Sequence, residues 1–150
     1  MPNIVTIGIV QDTASDDLAA NVAKAVSRVR EAAARGAQII CLQELFNAPY
    51  FCKTVRPERF DIAEPADGPI VHTFQALARE LAIVIVVPYY EREAPGLYRN
   101  SATVIDADGS VLGTYRKMHI PHDPLFEETY YFAPGDVTGD QLHERHPGYN

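Results

Sequence analysis

Residues 37–46 read Ala-Gln-Ile-Ile-Cys-Leu-Gln-Glu-Leu-Phe, a short apolar run with a carboxylate close behind it. The run at 39–42 is short and bounded by polar and turn residues, which is typical of a buried strand. Glu44 follows the carboxyl end of this strand, where open α/β sheets gather their ligands. The position suits a catalytic acid or base, although a solvated loop residue or a helix cap fits the same pattern.

The segments that precede this strand predict a β-α-β unit. Residues 4–10 are β-branched and almost wholly apolar, which is typical of a strand covered on both faces. Residues 18–35 carry an apolar stripe at helical spacing, and Gly36 then ends the helix. The helix leads directly into the strand at 37–42, so the two strands are expected to be parallel.

The segments that follow predict a mixed sheet. A helix is expected over 70–81 and a third buried strand over 83–87. Two further strands, 100–105 and 111–116, are joined by an Asp-Gly turn and predict an antiparallel hairpin. The polar segment 91–99 is interpreted as an exposed connection. The predicted fold class is therefore α/β, with a mixed sheet flanked by helices.

Composition limits the classes of partner. The chain has 150 residues, 47% of them apolar, which suits one domain with a single core. Its formal net charge of −7 argues against nucleic acid or an anionic membrane as the main partner. No apolar run approaches the length of a membrane span, and residues 1–10 are interpreted as a strand rather than a signal peptide. Two cysteines do not make a disulfide framework, so a cytoplasmic location is expected.

Charged residues at the strand ends are candidates for catalysis. Lys117 follows the fifth strand as Glu44 follows the second; a lysine can stabilise an oxyanion and a glutamate can take a proton. One structural ion pair, or two unrelated surface charges, would explain the same positions. Glu128 lies in an aromatic loop at 118–135 and is by itself interpreted as a solvated acid beside Glu127.

The histidines and cysteines do not by themselves indicate a site. His119 and His122 have no third ligand at metal spacing, so no metal is expected. Cys41 is expected to be an inert apolar residue of its strand. Cys52 is a possible nucleophile, although only Lys53 lies nearby in sequence to lower its pKa.

A series of short motifs runs from about residue 4 to residue 136. The motifs are Ala32–Ile40, Leu42–Phe46, Pro49–Cys52, Asn100–Ser101, Ile105–Gly109, Tyr115–Lys117, His119–Pro121, Glu128, Tyr131–Phe132 and Pro134–Asp136. In this order they resemble the nitrilase (carbon–nitrogen hydrolase) superfamily, and within it the branch that hydrolyses N-carbamoylputrescine. The domain is assigned to 1–136, and the polar, histidine-containing residues 137–150 are interpreted as a divergent tail.

The resemblance implies a fold and a set of catalytic roles. The fold is a four-layer α-β-β-α sandwich, of which this chain would supply the N-terminal half, assembled into homo-oligomers. The chemistry is a Glu-Lys-Cys triad without metal or organic cofactor, acting on a small carbamoyl amine or amide. By position, Glu44 is the general base, Lys117 the oxyanion stabiliser and Glu128 a second acid that orients substrate or lysine. Tyr50 and His119 are assigned to substrate binding.

The nucleophile that the resemblance implies has no counterpart in the sequence. In the family it is a cysteine a few dozen residues beyond the lysine, whereas no cysteine follows Cys52 here. Cys52 itself matches a loop residue of the family. We therefore expect the chain alone to be inactive, and to expose apolar surface. The alternatives are a non-catalytic homologue that acts as a binding or assembly partner, and hydrolysis through Cys52.

Overall fold

The computed structural model of the chain describes residues 4–136, in which two long helices pack on the same face of one mixed sheet. The sheet has the strand order β1-β2-β3-β4-β5, parallel across the first three strands and antiparallel across the last three. The elements are β1 (Ile7–Val10), α1 (Leu18–Ala34), β2 (Ile39–Leu42), β3 (Val84–Ala94), β4 (Leu97–Ile105) and β5 (Val111–Arg116), with α2 (Pro69–Leu81) between β2 and β3 and the short α3 (Glu128–Tyr131) after β5. The predicted α/β class and mixed sheet are confirmed.

The ends of α1 follow from local sequence. The Asp17 side chain accepts a hydrogen bond from the backbone N–H of Ala20 at 2.9 Å, which satisfies one of the free donors of the first turn. After the helix, Gly36 has φ +91°, a left-handed conformation that glycine adopts without steric cost. This turn allows the chain to enter β2 directly, as the sequence predicts.

The main core lies between the sheet and the two helices. Its centre is formed by residues that are wholly inaccessible to solvent: Val29 of α1, Phe74 and Ala78 of α2, and Ile40, Ile85, Val87, Tyr89 and Ile105 of the sheet. Phe46 extends this core with an edge-on contact to Phe74, at 5.5 Å between ring centroids. Phe46 comes only two residues after Glu44, so the same core also fixes the loop that carries the candidate base.

The opposite face of the sheet is open at β1. Side chains alternate along a strand, and at β1 the alternate residues Ile7 and Ile9 are 64% and 79% exposed. The prediction that the first strand is covered on both faces is therefore wrong for the part of the chain that the structure describes. Its apolar composition reflects a face that neither α1 nor α2 covers.

Most of the segment 91–99 is strand rather than a connection, contrary to prediction, although residues 92–96 at its tip are exposed as predicted. β3 continues to Ala94, and β4 begins at Leu97, so the segment forms the closed end of a hairpin. Glu91 is completely buried because its carboxylate binds Arg116 and Ser101. Neutralised charges can occupy a strand interior, which is why polar composition indicated the wrong structure here.

A second, aromatic core joins the two long loops. Phe51 and Tyr131 pack edge to face at 5.0 Å between centroids, and the Tyr131 hydroxyl donates to the Thr54 carbonyl at 2.6 Å. The backbone N–H of Glu127 donates to the carbonyl of Cys52 at 2.8 Å. These contacts bring α3 against the loop that follows β2. The predicted tail, with His143 and His146, lies outside the described residues.

Candidate active site

Lys117 lies between two carboxylates that are distant from it in sequence. Its Nζ is 3.2 Å from Oε1 of Glu44, at the end of β2, and 2.8 Å from Oε2 of Glu128, the first residue of α3. Lys117 itself directly follows β5. The structure thus brings together the three residues that the sequence assigns to catalysis.

Glu44 directly precedes a residue with an unusual backbone conformation. The next residue, Leu45, has φ +50°, the left-handed region that non-glycine residues rarely adopt, and its side chain is buried in the aromatic core. Such a conformation persists only where the surrounding packing fixes it, and it is common at functional sites. The Glu44 side chain remains 51% exposed, so it can reach a ligand.

Glu128 is not the solvated acid that its sequence position suggests. Its side chain is only 4% exposed, and both of its oxygens have donors. The Tyr50 hydroxyl donates to Oε1 at 2.8 Å, and the Lys117 ammonium donates to Oε2 at 2.8 Å. A buried carboxylate is stable when it is paired in this way. No local sequence pattern indicates this burial, because it depends on the aromatic core around α3.

The electrostatics of the site keep Lys117 and Tyr50 protonated at neutral pH. Partial burial lowers the pKa of Lys117, but hydrogen bonds to Glu128 and Glu44 more than offset this, and the pKa is raised above its ordinary value. Burial raises the pKa of Tyr50, and its hydrogen bond to Glu128 raises it further. The cluster therefore presents an ammonium group between two carboxylates.

The backbone of Lys117 is fixed on both sides. Its N–H donates to the carbonyl of Asn100 at 2.8 Å, and its carbonyl accepts from the N–H of Gly135 at 2.8 Å. A Cβ atom at Gly135 would clash with the backbone carbonyl oxygen of Arg116, so this close approach requires glycine. Asn100 also donates from its side chain to Glu44, a role that sequence reasoning missed although Asn100 belongs to a matched motif.

Neither cysteine of the chain suits the role of nucleophile. Cys52 lies behind the cluster with no exposed surface, and burial, together with Glu128 and Glu44, raises the pKa of its thiol to about 12. A thiol that stays protonated and inaccessible is a poor nucleophile. Cys41 is half-buried in β2, and burial raises its pKa as well. These observations argue against hydrolysis through Cys52.

The two residues assigned to substrate binding differ in their distance from the cluster. Tyr50 contacts Glu128, as described, so the structure places it beside the site. His119 is exposed, and among residues 4–136 no hydrogen bond joins it to the cluster, so its role in substrate binding stays a prediction.

The described part of the chain contains no group of three His, Cys, Asp or Glu side chains placed to hold a metal ion. It also contains no helix long and apolar enough to cross a membrane.

Comparison with known proteins places the chain in a family. The model of the carbon–nitrogen hydrolase family matches residues 6–143, most of the chain. The chain belongs to the carbon–nitrogen hydrolase family. A relative named N-carbamoylputrescine amidase, from Solanum lycopersicum, is 47% identical over 135 residues, which cover 89% of this chain and 45% of the relative. A citrullinase from Francisella tularensis is 42% identical over 134 residues, covering 89% of this chain and 46% of that protein.

The fold of this family member is also found in solved structures. The crystal structure of a carbon–nitrogen hydrolase from Helicobacter pylori G27 matches with a TM-score of 0.84 and 36% sequence identity, covering 89% of this chain and 46% of that chain. The nitrilase-type fold expected from the motifs is thereby confirmed. The chain spans about half the length of the curated relatives that it matches.

Proposed function

We propose that this chain supplies the general base and the oxyanion-stabilising ammonium of a hydrolase that removes the carbamoyl group from a linear amine. The observation that carries the proposal is the placement of Lys117 between Glu44 and Glu128 in a chain of this family. An exposed carboxylate next to an ammonium group can take a proton from a nucleophile while the ammonium stabilises the developing negative charge.

The names of the relatives support the substrate class. N-carbamoylputrescine and citrulline both carry a terminal ureido group on a linear aliphatic chain that ends in an amine-bearing group. The identity to the N-carbamoylputrescine amidase is the higher of the two, at 47% against 42%. N-carbamoylputrescine is therefore the expected substrate, and hydrolysis with one water would give putrescine, carbon dioxide and ammonia.

In the proposed reaction the residues of this chain handle a proton and a negative charge. Glu44 takes the proton of a cysteine thiol, and the thiolate attacks the carbamoyl carbon. The ammonium of Lys117 then holds the tetrahedral oxygen, and Glu44 returns its proton to the nitrogen that leaves as ammonia. Water releases the remaining alkylcarbamic acid from sulfur, and this acid decomposes to putrescine and carbon dioxide. Glu128 keeps Lys117 charged and oriented through the 2.8 Å contact. No organic cofactor or metal takes part in this scheme.

The thiol in this scheme is neither Cys41 nor Cys52, since one lies within a strand and the other is inaccessible with a raised pKa. We therefore propose that residues 1–150 alone do not hydrolyse the substrate. Removing a nucleophile commonly lowers the rate of an enzyme by several powers of ten, because the remaining groups only bind and polarise.

Two assays of the purified chain test this proposal. Nuclear magnetic resonance can follow the backbone amides of Lys117 and Glu128 during titration with N-carbamoylputrescine, with putrescine as the control that lacks the carbamoyl group. We expect saturable shifts with N-carbamoylputrescine that are lost in Lys117→Met. Ammonia is assayed in the same samples, and none above background is expected.

Two results would contradict the proposal in different ways. Ammonia release that Glu44→Gln abolishes would show that the chain alone is active. Equal shifts with putrescine and N-carbamoylputrescine would show that the site does not recognise the carbamoyl group, and would remove the substrate class.

A second candidate function is that of a non-catalytic assembly partner. It is favoured by the open sheet face, where Ile7 and Ile9 are exposed. Exposed apolar patches of this kind often mark interaction surfaces. Mixing the chain with a full-length relative and sizing the product tests it: a co-assembled peak supports this function, and separate peaks count against it.

A further inference from the structure

Asn100 is a buried residue that forms hydrogen bonds with both Glu44 and Lys117. It lies in β4, opposite Tyr90 of β3, and is 5% exposed. Its side-chain Nδ2 donates to Oε1 of Glu44 at 2.6 Å. Its backbone carbonyl accepts from the N–H of Lys117 at 2.8 Å. One residue of an interior strand therefore contacts both the carboxylate and the lysine.

Glu44 needs such an anchor more than Glu128 does. Glu128 is buried, with donors on both oxygens, whereas the Glu44 side chain is half exposed and meets Lys117 at 3.2 Å. An exposed glutamate–lysine pair is weak on its own, because solvent screens the charges and both long side chains lose conformational freedom. A donor fixed in a strand adds a directional, charge-assisted bond that the exposed pair lacks.

The two oxygens of the Glu44 carboxylate differ in the hydrogen bonds that they accept. Asn100 Nδ2 and Lys117 Nζ both bond to Oε1. Among residues 4–136, no donor is hydrogen-bonded to Oε2. An oxygen that already accepts two hydrogen bonds has little capacity to accept a further proton, whereas the other oxygen keeps its lone pairs.

We infer that Asn100 is a positioning residue that fixes Oε1 of Glu44 against Lys117, so that Oε2 is the oxygen that takes the proton. This inference rests on the proposed function, which it deepens by assigning one oxygen of the base and the residue that selects it. Asn100 acts through Glu44 and has no contact with the reacting atoms.

The protonation of Lys117 reports whether Glu44 is in place. The groups that act on its ammonium are the carboxylates of Glu44 and Glu128, and both raise its pKa through hydrogen bonds and charge. Tyr50 and Cys52 also lie close to the cluster, and both are neutral at physiological pH because their pKa values are raised. If Asn100 holds Glu44, its removal releases the carboxylate to solvent and lowers the pKa of Lys117 towards its ordinary value.

The experiment measures the pKa of Lys117 by nitrogen-15 resonance of its side chain in the full 150-residue chain. Asn100→Ala removes the donor, and Asn100→Leu removes it while keeping the volume. We expect each variant to lower the pKa by at least half of the decrease that Glu44→Gln causes. Asn21→Ala is the matched control, because Asn21 is also buried but donates to the carbonyls of Ser15 and Asn47 and has no hydrogen bond to Glu44 or Lys117. It should leave the pKa of Lys117 unchanged.

The outcomes separate this inference from the proposed function. If Glu44→Gln lowers the pKa of Lys117 but neither Asn100 variant does, Asn100 does not position Glu44 and the inference is overturned. If Glu44→Gln itself has no effect, Glu44 does not engage Lys117 and the proposed site fails. A decrease in the Asn100 variants that Asn21→Ala reproduces would show a general loss of structure, and would also overturn the inference.

Discussion

Two carboxylate–cation clusters lie at the same end of the sheet, built on Arg116, the last residue of β5, and on Lys117, which follows it. Arg116 binds Glu91 through two nitrogens, at 2.9 and 2.6 Å, and Ser101 donates to the same carboxylate. Lys117 binds Glu44 and Glu128 at single contacts. Successive side chains of a strand point to opposite faces, so the neighbouring cations serve two separate clusters.

The two clusters differ in whether both oxygens of the carboxylate accept hydrogen bonds. Glu91 is inaccessible to solvent, and burial raises its pKa, but the bonds from Arg116 and Ser101 outweigh this and the pKa is lowered. Glu44 is half exposed, with one oxygen that takes no bond from residues 4–136. A saturated buried pair stabilises a fold, whereas a carboxylate with a spare oxygen beside an ammonium can perform proton transfer.

The largest effect should come from breaking the buried cluster. Arg116→Met leaves the Glu91 charge buried without its main partner, and loss of one partner of a buried pair costs about 3–5 kcal/mol of unfolding free energy. Urea unfolding followed by circular dichroism measures this. A loss below about 1 kcal/mol, in the range of an exposed pair, would show that the two clusters are equivalent.

Glu128→Leu should have an intermediate effect. Glu128 is buried, so the change leaves the Tyr50 hydroxyl without its acceptor, and an unsatisfied buried polar group costs about 1–3 kcal/mol. The companion variant Tyr50→Phe, made in the Glu128→Leu background, should recover part of the loss. No recovery would indicate that the phenol finds water or another acceptor.

Glu44→Gln should change stability least among the charge variants. Its contact with Lys117 is exposed, and such pairs contribute about 0–1 kcal/mol. The same urea series measures it. A loss equal to that of Arg116→Met would show that Glu44 is a structural residue, and would remove the contrast on which its catalytic assignment depends.

A separate effect on stability appears only when the pH rises above 9.0. The folded chain raises the pKa of Cys52 from 9.0 to about 12, so the unfolded thiol ionises first as the pH rises. The stability that this provides is present below pH 9.0 and is lost between pH 9.0 and about 12. Cys52→Ala should flatten the decline in unfolding free energy over this range, relative to Cys41→Ala. An unchanged slope would contradict the shifted pKa.

The sequence predicted the elements that depend on local patterns. Helical spacing and Gly36 placed α1 within about one residue, and the Asp-Gly turn placed the β4–β5 hairpin. It failed where distant side chains decide the structure. The burial of Glu91 depends on Arg116, which is 25 residues further along the chain. No local pattern indicates that such a charge lies inside a sheet.

At the candidate site, too, features that depend on local sequence were predicted, and contacts between distant residues were not. Strand ends and motif resemblance identified Glu44 and Lys117, because both features are local. The burial of Glu128 and the bond from Asn100 to Glu44 were not predicted, since they join residues 11 and 56 positions from their partners. These contacts require the packing of the aromatic core and the register of the sheet, which sequence spacing does not provide.

The most direct test of the account is an ammonia assay on a reconstituted protein. The chain is co-purified with the portion of the Solanum lycopersicum relative that it does not cover, and the complex is given N-carbamoylputrescine. We expect ammonia release by the complex, none by either part alone, and none when the complex carries Glu44→Gln. A complex that forms but hydrolyses the substrate equally well with Glu44→Gln would contradict the assignment of Glu44 as the base.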